Sequence, residues 1–262
     1  MPTPAALLLD IDGHLTEGVG GPAYPGGPEA VTALSKRFPL RYVTNATSRT
    51  RRELAEALRR EGYPAPEELV VTPVAAAARL LGERGEARGI LISDELDRYD
   101  LKWFEQIENP ADAKAVLIAS EAHARTIGQL RPALEALLAG ARLYTLQQNR
   151  VFRRGGELLT DLGPVAAFLG YAADVTWECF GKPSPLLFES LTSDLGVPLE
   201  RLLMAGDDAE FDCSGALRAG VGSSVLARTG KYRPGDESRV TPPPTHVVDS
   251  IADLPGLIDS LA

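Results

Sequence analysis

The sequence predicts an α/β protein: a mostly parallel sheet covered by helices on both faces, with a second α/β domain inserted into the first. Two observations carry this. Short, continuously apolar runs alternate with helical patterns along almost all of the 262 residues, as expected of strands buried on both faces and joined by crossover helices. The polar pieces suited to chemistry lie before about residue 75 and after about residue 179, with none between. A composition that is 44% hydrophobic supplies a proper core for one large domain or two modest ones.

Ala5-Ala6-Leu7-Leu8-Leu9 reads as a fully buried strand over 6–10, closed by Gly13. A Gly/Pro-rich loop through Pro28 leads to a helix of about 29–38 and a strand at 40–44. Thr47 or Ser48 caps a helix running to about Arg60, with Glu53 in its early turns and Gly62 closing it. Val70-Val71-Thr72 is a third strand, and Pro73 opens another helix. Residues 73–178 then hold their own alternation: helix 74–82, strand 89–92, a polar segment with Trp103 and Phe104, strand 114–118, helix 124–139, strand 142–146 and a turn at Arg153-Arg154-Gly155-Gly156. The first domain resumes with a helix at 184–195, strand 201–205, a helix to about Ala219, strand 222–226, a Pro-rich turn at 242–244, strand 246–248 and a short last helix. The expected domains are thus 1–75 with 179–262, and an insertion at 76–178.

Lys plus Arg (27) against Asp plus Glu (36) leaves a net charge of -9, which opposes binding to a polyanionic backbone, so nucleic acid is excluded as a partner. An acidic protein that handles phosphate needs a divalent cation to bring the negative groups together. Cys179 and Cys213 are too few for a disulfide framework and lie in no metal-ligand spacing, so both are expected as buried or half-buried thiols. No uncharged run approaches the ~18 residues of a membrane helix and no basic leader opens the chain, so the expectation is a cytoplasmic protein without a membrane partner.

Four pieces fit one site: Asp10-Ile11-Asp12-Gly13, Thr44-Asn45, Lys182 in Gly-Lys-Pro, and Gly206-Asp207-Asp208 with Asp212 beyond. Charges cannot stay in an apolar core, so Asp10 and Asp12 emerge at a strand's carboxyl end, where open α/β sheets bind ligands. One of the two carboxylates can attack a phosphoryl group while the other protonates the leaving oxygen. A carboxylate is a weak nucleophile, so a cation has to neutralise both partners. Each piece also has a plain structural reading. Asp-x-Asp-Gly occurs in turns and calcium-like loops, Thr44-Asn45 can cap a helix, Lys182 can be a solvated surface charge, and Asp208 and Glu210 can cap the helix that follows them. His14, His123 and His246 share no metal spacing. Gly220-x-Gly222 and Thr229-Gly230-Lys231 look nucleotide-like but complete neither a Walker A loop nor a dinucleotide fingerprint, and are set aside.

Taken together and in this order, the four pieces resemble the haloacid dehalogenase superfamily of phosphatases over the whole chain. The long insertion is similar to that of the subgroup containing the NagD nucleotidase, pyridoxal phosphate phosphatase and p-nitrophenyl phosphatase. The resemblance implies a Rossmann-like core with an inserted α/β cap domain, and Mg²⁺-dependent hydrolysis of a small phosphorylated metabolite through an aspartyl-phosphate. It implies Asp10 as nucleophile, Asp12 as general acid/base, Thr44 and Lys182 as phosphate and charge stabilisers, and Mg²⁺ on Asp10, the Asp12 carbonyl and Asp207. Asp212 would orient a metal-bound water or Lys182, with Asn45 beside the phosphate and Asp208 beside the metal. His14 stands where the family usually carries Thr or Val. A homodimer through the cap is one assembly open to this architecture. The insertion is expected to cover the site and choose the leaving group, since core residues alone would accept any phosphate and admit water. A dehalogenase has no alkoxide to protonate and no use for Asp12. A phosphomutase, or a catalytically weak phosphate-binding regulator of the same fold, is the other reading.

Overall fold

The computed structural model describes residues 3–18, 20–47, 49–93, 100–154 and 157–261. Ser48, one of the two expected caps, and Gly155-Gly156 of the expected turn lie outside the described residues. In chain order the elements begin with β1 (Ala6–Asp10), α1 (Gly27–Ser35), β2 (Leu40–Val43), α2 (Arg51–Arg60) and β3 (Val70–Val71). They continue with α3 (Pro73–Arg84), β4 (Arg88–Ile92), β5 (Glu105–Gln106), β6 (Ala115–Ile118), α4 (Arg131–Leu138), β7 (Arg142–Thr145), β8 (Val151–Arg154), β9 (Glu157–Thr160), α5 (Leu162–Ala173) and β10 (Trp177–Cys179). The last set is α6 (Pro185–Leu195), β11 (Leu202–Gly206), α7 (Gly215–Arg218), β12 (Ser223–Ala227), β13 (His246–Val248) and α8 (Leu254–Ser260).

The chain divides into two compact units. The first comprises Met1–Thr44, Arg51–Val71 and Lys182–Ala262. Its parallel six-stranded sheet runs β13-β12-β11-β1-β2-β3. All five residues of β1 are buried because the strand is central and covered on both faces. From one face Leu7, Leu9, Tyr42, Leu203 and Val225 join Val31 and Leu34 of α1, Leu54 and Leu58 of α2 and Ile258 of α8 in one apolar cluster. Each fully buried aliphatic side chain there contributes roughly 1.5–3 kcal/mol. From β1 the chain moves outward to β2 and β3 on one side, and later returns to build β11, β12 and β13 on the other. The gap between β1 and β11 is therefore where the winding reverses, the place where sheets of this type bind ligands at their carboxyl ends.

The second unit comprises Asn45–Thr50 and Thr72–Gly181. Its five-stranded parallel sheet runs β10-β7-β6-β4-β5. Thr72 caps α3 by accepting the Ala75 N–H at 3.2 Å, and Pro73 occupies the first turn, where its missing donor costs nothing.

Several elements depart from expectation. The helix expected over 124–139 begins only at Arg131: Thr126 and Gln129 form a capping box on a short 3₁₀ turn, and Pro132 fixes the new start. Arg153 and Arg154 of the expected turn lie instead in strand β8, which pairs antiparallel with β9 and sets Val151 opposite Thr160. Helix α5 and strand β10 were not anticipated at all. Helix α2 starts at Arg51, so Thr47 is not its immediate cap. Among the described residues no helix is long and apolar enough to cross a membrane.

Candidate active site

The parallel register sets Asp10, the last residue of β1, opposite Val43 at the end of β2, while Leu9 pairs with Ala205 of β11. Three carboxyl strand ends thus lie side by side, and each delivers polar residues. Asp10 is 5% exposed and its Oδ1 accepts from the Lys182 ammonium. Lys182 is itself buried, 2.7 Å from Asp212 Oδ1, and it also donates to the Val43 carbonyl at 3.4 Å. It is not a surface charge: burial alone would lower its pKa, but Asp10 and Asp212 outweigh burial and raise it.

Thr44 follows β2 and its N–H continues the ladder to Val71 O. Its hydroxyl donates to Asp12 Oδ2 at 3.0 Å. Just after Asp12 the chain turns sharply. Gly13 sits at φ +90°, and a Cβ there would lie 2.2 Å from Asp207 Oδ2, so only glycine lets the turn press against that carboxylate. His14 is fully buried, and neither ring nitrogen has a hydrogen-bond partner among the described residues. Burial first, then the Lys182 charge, push its pKa down to about 3, so the ring is neutral.

After β11, Asp207 and Asp212 are each 1% exposed. Asp212 Oδ2 accepts the Asp208 N–H at 3.1 Å. Asp208 does what the plain reading of an acidic loop expects: its Oδ1 accepts from Glu210 and Phe211 N–H at 3.1 and 2.9 Å, capping the turn. Asn45 groups with the second unit. The structure therefore brings Asp10, Asp12, Thr44, Lys182, Asp207 and Asp212 together in the first unit, with Asp208 at the cluster's edge.

Carboxylate oxygens of Asp10, Asp207 and Asp212 all lie within 4.8 Å of one another. Burial is the largest reason that all three pKa values are raised; neighbouring carboxylates add to it and Lys182 opposes it. Three acids against one buried ammonium leave excess negative charge in a dry place. Asp207 Oδ1 is moreover buried with no hydrogen-bond partner among the described residues, a costly state unless something binds it. An all-oxygen, anionic donor set of this kind fits a hard divalent cation.

One segment set aside in the sequence touches this cluster. After β12, the Thr229 hydroxyl donates to Gly13 O at 2.6 Å and the Lys231 N–H donates to Asp207 Oδ2 at 2.6 Å. The Lys231 ammonium lies 3.3 Å from Asp208 Oδ2. The only sequence signal was a Thr-Gly-Lys directly beyond an apolar strand.

The family model for haloacid dehalogenase-like hydrolases matches residues 7–102, and a second, HAD-hydrolase-like model matches residues 179–254. The bovine phospholysine phosphohistidine inorganic pyrophosphate phosphatase is 33% identical over 96% of this chain and 93% of its own. The chain belongs to the haloacid dehalogenase-like hydrolases. The human haloacid dehalogenase-like hydrolase domain-containing protein 2 is 32% identical over 94% of this chain and 95% of its own. In fold, the chain is similar to the p-nitrophenyl phosphatase from Archaeoglobus fulgidus, with a TM-score of 0.85, 23% identity, and coverage of 99% of this chain and 100% of that one. It is an enzyme of the phosphatase kind, and the four sequence pieces that suggested the family are those that converge on the acidic cluster.

Proposed function

We propose that this haloacid dehalogenase-like phosphatase is a Mg²⁺-dependent hydrolase of a small phosphorylated metabolite, working through an aspartyl-phosphate on Asp10. The observation that carries the reading is the Asp10 carboxylate at the end of β1, paired with buried Lys182 and within reach of Asp207. Lys182 orients Asp10 and offsets part of the charge that a bound phosphate adds. Asp12, the next carboxylate on the same turn, gives a proton to the leaving oxygen and later takes one from the hydrolytic water. Thr44 holds Asp12 through its hydroxyl and presents donors to phosphate oxygens. Asp10 and Asp207, with the Asp12 carbonyl, would hold the cation, and Asp212 fixes Lys182 beside them. When bound, the cation supplies the positive charge that lets a carboxylate approach a phosphate.

The inserted residues 76–178 are proposed as a cap that selects the leaving group. The bovine relative is named for phospholysine, phosphohistidine and inorganic pyrophosphate, so P–N and P–O–P bonds join ordinary phosphate esters as candidates here. The test is a panel of sugar phosphates, nucleotides, pyridoxal phosphate, phosphoglycolate, pyrophosphate and phosphoramidates, assayed with Mg²⁺ and with EDTA. Hydrolysis of at least one member, abolished by EDTA and restored by Mg²⁺, is expected. Metal-independent turnover would contradict the reading.

A further inference from the structure

The geometry points to Thr229-Gly230-Lys231 as a positioning loop that fixes which oxygen of Asp207 faces the cation, an inference resting on the proposed metal dependence. Asp207 has two carboxylate oxygens in different states. Oδ2 accepts the Lys231 N–H at 2.6 Å, whereas Oδ1 is buried with no hydrogen-bond partner among the described residues. A carboxylate anchored by one oxygen cannot spin, so the other is presented in a fixed direction, and such outer hydrogen bonds set ligand orientation and affinity.

The anchor is itself anchored. Thr229 Oγ1 donates to Gly13 O at 2.6 Å, and the Gly230 N–H donates to the Tyr24 hydroxyl at 3.2 Å. One strand end thereby clamps the turn after Asp12 to the side chain after β11. Gly230 has φ +52°, and a Cβ there would lie 2.0 Å from Asp207 Oδ2 and 2.6 Å from Gly13 Cα. The loop backbone therefore passes directly against both partners, a contact that only glycine permits. The donor to Asp207 is a main-chain amide, so side-chain motifs do not reveal it. The Lys231 side chain is largely solvent-exposed and pairs with Asp208, a separate job from that of its amide.

The test measures Mn²⁺ binding to the metal-free enzyme by calorimetry, independently of turnover. Thr229→Val deletes the hydroxyl at constant shape and is expected to raise the Mn²⁺ Kd by about 10- to 100-fold, the usual cost of losing an outer support. Thr229→Ser should restore it. Tyr24→Phe, at an exposed hydroxyl, gives a milder second route into the loop, and a rise of about 2- to 10-fold is expected from one lost hydrogen bond. Circular dichroism and urea unfolding without metal establish that each variant is folded. Folded Thr229→Val and Tyr24→Phe proteins with the parent Kd would overturn the positioning role while leaving the metal reading intact. A parent enzyme that binds no Mn²⁺ would overturn the metal reading itself, and the loop's role with it.

Discussion

Thr44 donates its hydroxyl to Asp12 Oδ2 across 3.0 Å, tying the end of β2 to the turn after β1. A side-chain hydrogen bond is worth about 0.5–1.5 kcal/mol, and about 1.5–3 kcal/mol where one partner is charged, and here it holds the carboxyl group proposed to move the proton. Thr44→Val is expected to lower kcat/KM by about 10- to 100-fold, and Thr44→Ser to restore most of it. Steady-state kinetics of the three proteins check this; equal activity in all of them would remove the hydroxyl from the account.

Asp12→Asn keeps the side chain's shape and removes its proton transfer. Hydrolysis of an alkyl phosphate should slow by ~10²–10⁴, and that of p-nitrophenyl phosphate, whose leaving group needs no proton, should slow least. Comparing the two substrates decides the matter, since equal losses are incompatible with acid catalysis by Asp12.

The buried acids predict a large response to metal. A cation binding only the folded enzyme adds about 2.7 kcal/mol of stability at 100 times its Kd, so thermal unfolding should move upward with Mg²⁺ in the parent enzyme. Asp207→Asn should flatten that titration, because it replaces one charged donor in the cluster of Asp10, Asp207 and Asp212. An identical Mg²⁺ response in the variant would take Asp207 out of the binding set.

Cys179 and Cys213 are both buried. Burial pushes the Cys179 thiol up to about 12 and the Cys213 thiol well above its usual value. A higher thiol pKa means less thiolate, the reactive form, near neutral pH. Both thiols should resist a disulfide reagent in the native enzyme and react at once in denaturant. Rapid native labelling of either residue would show that its region opens.

The sheet of the first unit was legible because its strands are buried on both faces and so read as uninterrupted apolar runs. Leu7-Leu8-Leu9 ending at Asp10, and Leu203-Met204-Ala205 ending before Asp207, mark both the strands and the end at which charge escapes. Helix α5 was illegible for the opposite reason. Leu-Gly-Pro-Val-Ala-Ala-Phe-Leu-Gly-Tyr-Ala-Ala is apolar nearly all round and carries two glycines and a proline, so no helical period stands out. Gly163 is there for contact, since a Cβ would lie 2.6 Å from Gln148 O. The hairpin of β8 and β9 leaves Val151 and Leu158 exposed, and that departs from the alternation that marks a strand. The loop at Thr229 completes no sequence motif, and its part in the site is not legible because it contributes a backbone N–H and a hydroxyl aimed at residues some 20 and 200 positions away. Only the folded sheet brings the ends of β1, β11 and β12 together.

The central claim is a covalent bond between Asp10 and phosphate, and chemical trapping tests it most directly. The enzyme is mixed with Mg²⁺ and a substrate it turns over, quenched in acid, reduced with borohydride and digested for mass spectrometry. Borohydride reduces an acyl phosphate to an alcohol but leaves a free carboxylate alone. The account predicts homoserine at position 10 only when substrate is present, and none in Asp10→Asn, which should also be inactive. Turnover with Asp10 unmodified throughout, together with near-normal activity in Asp10→Asn, would contradict it.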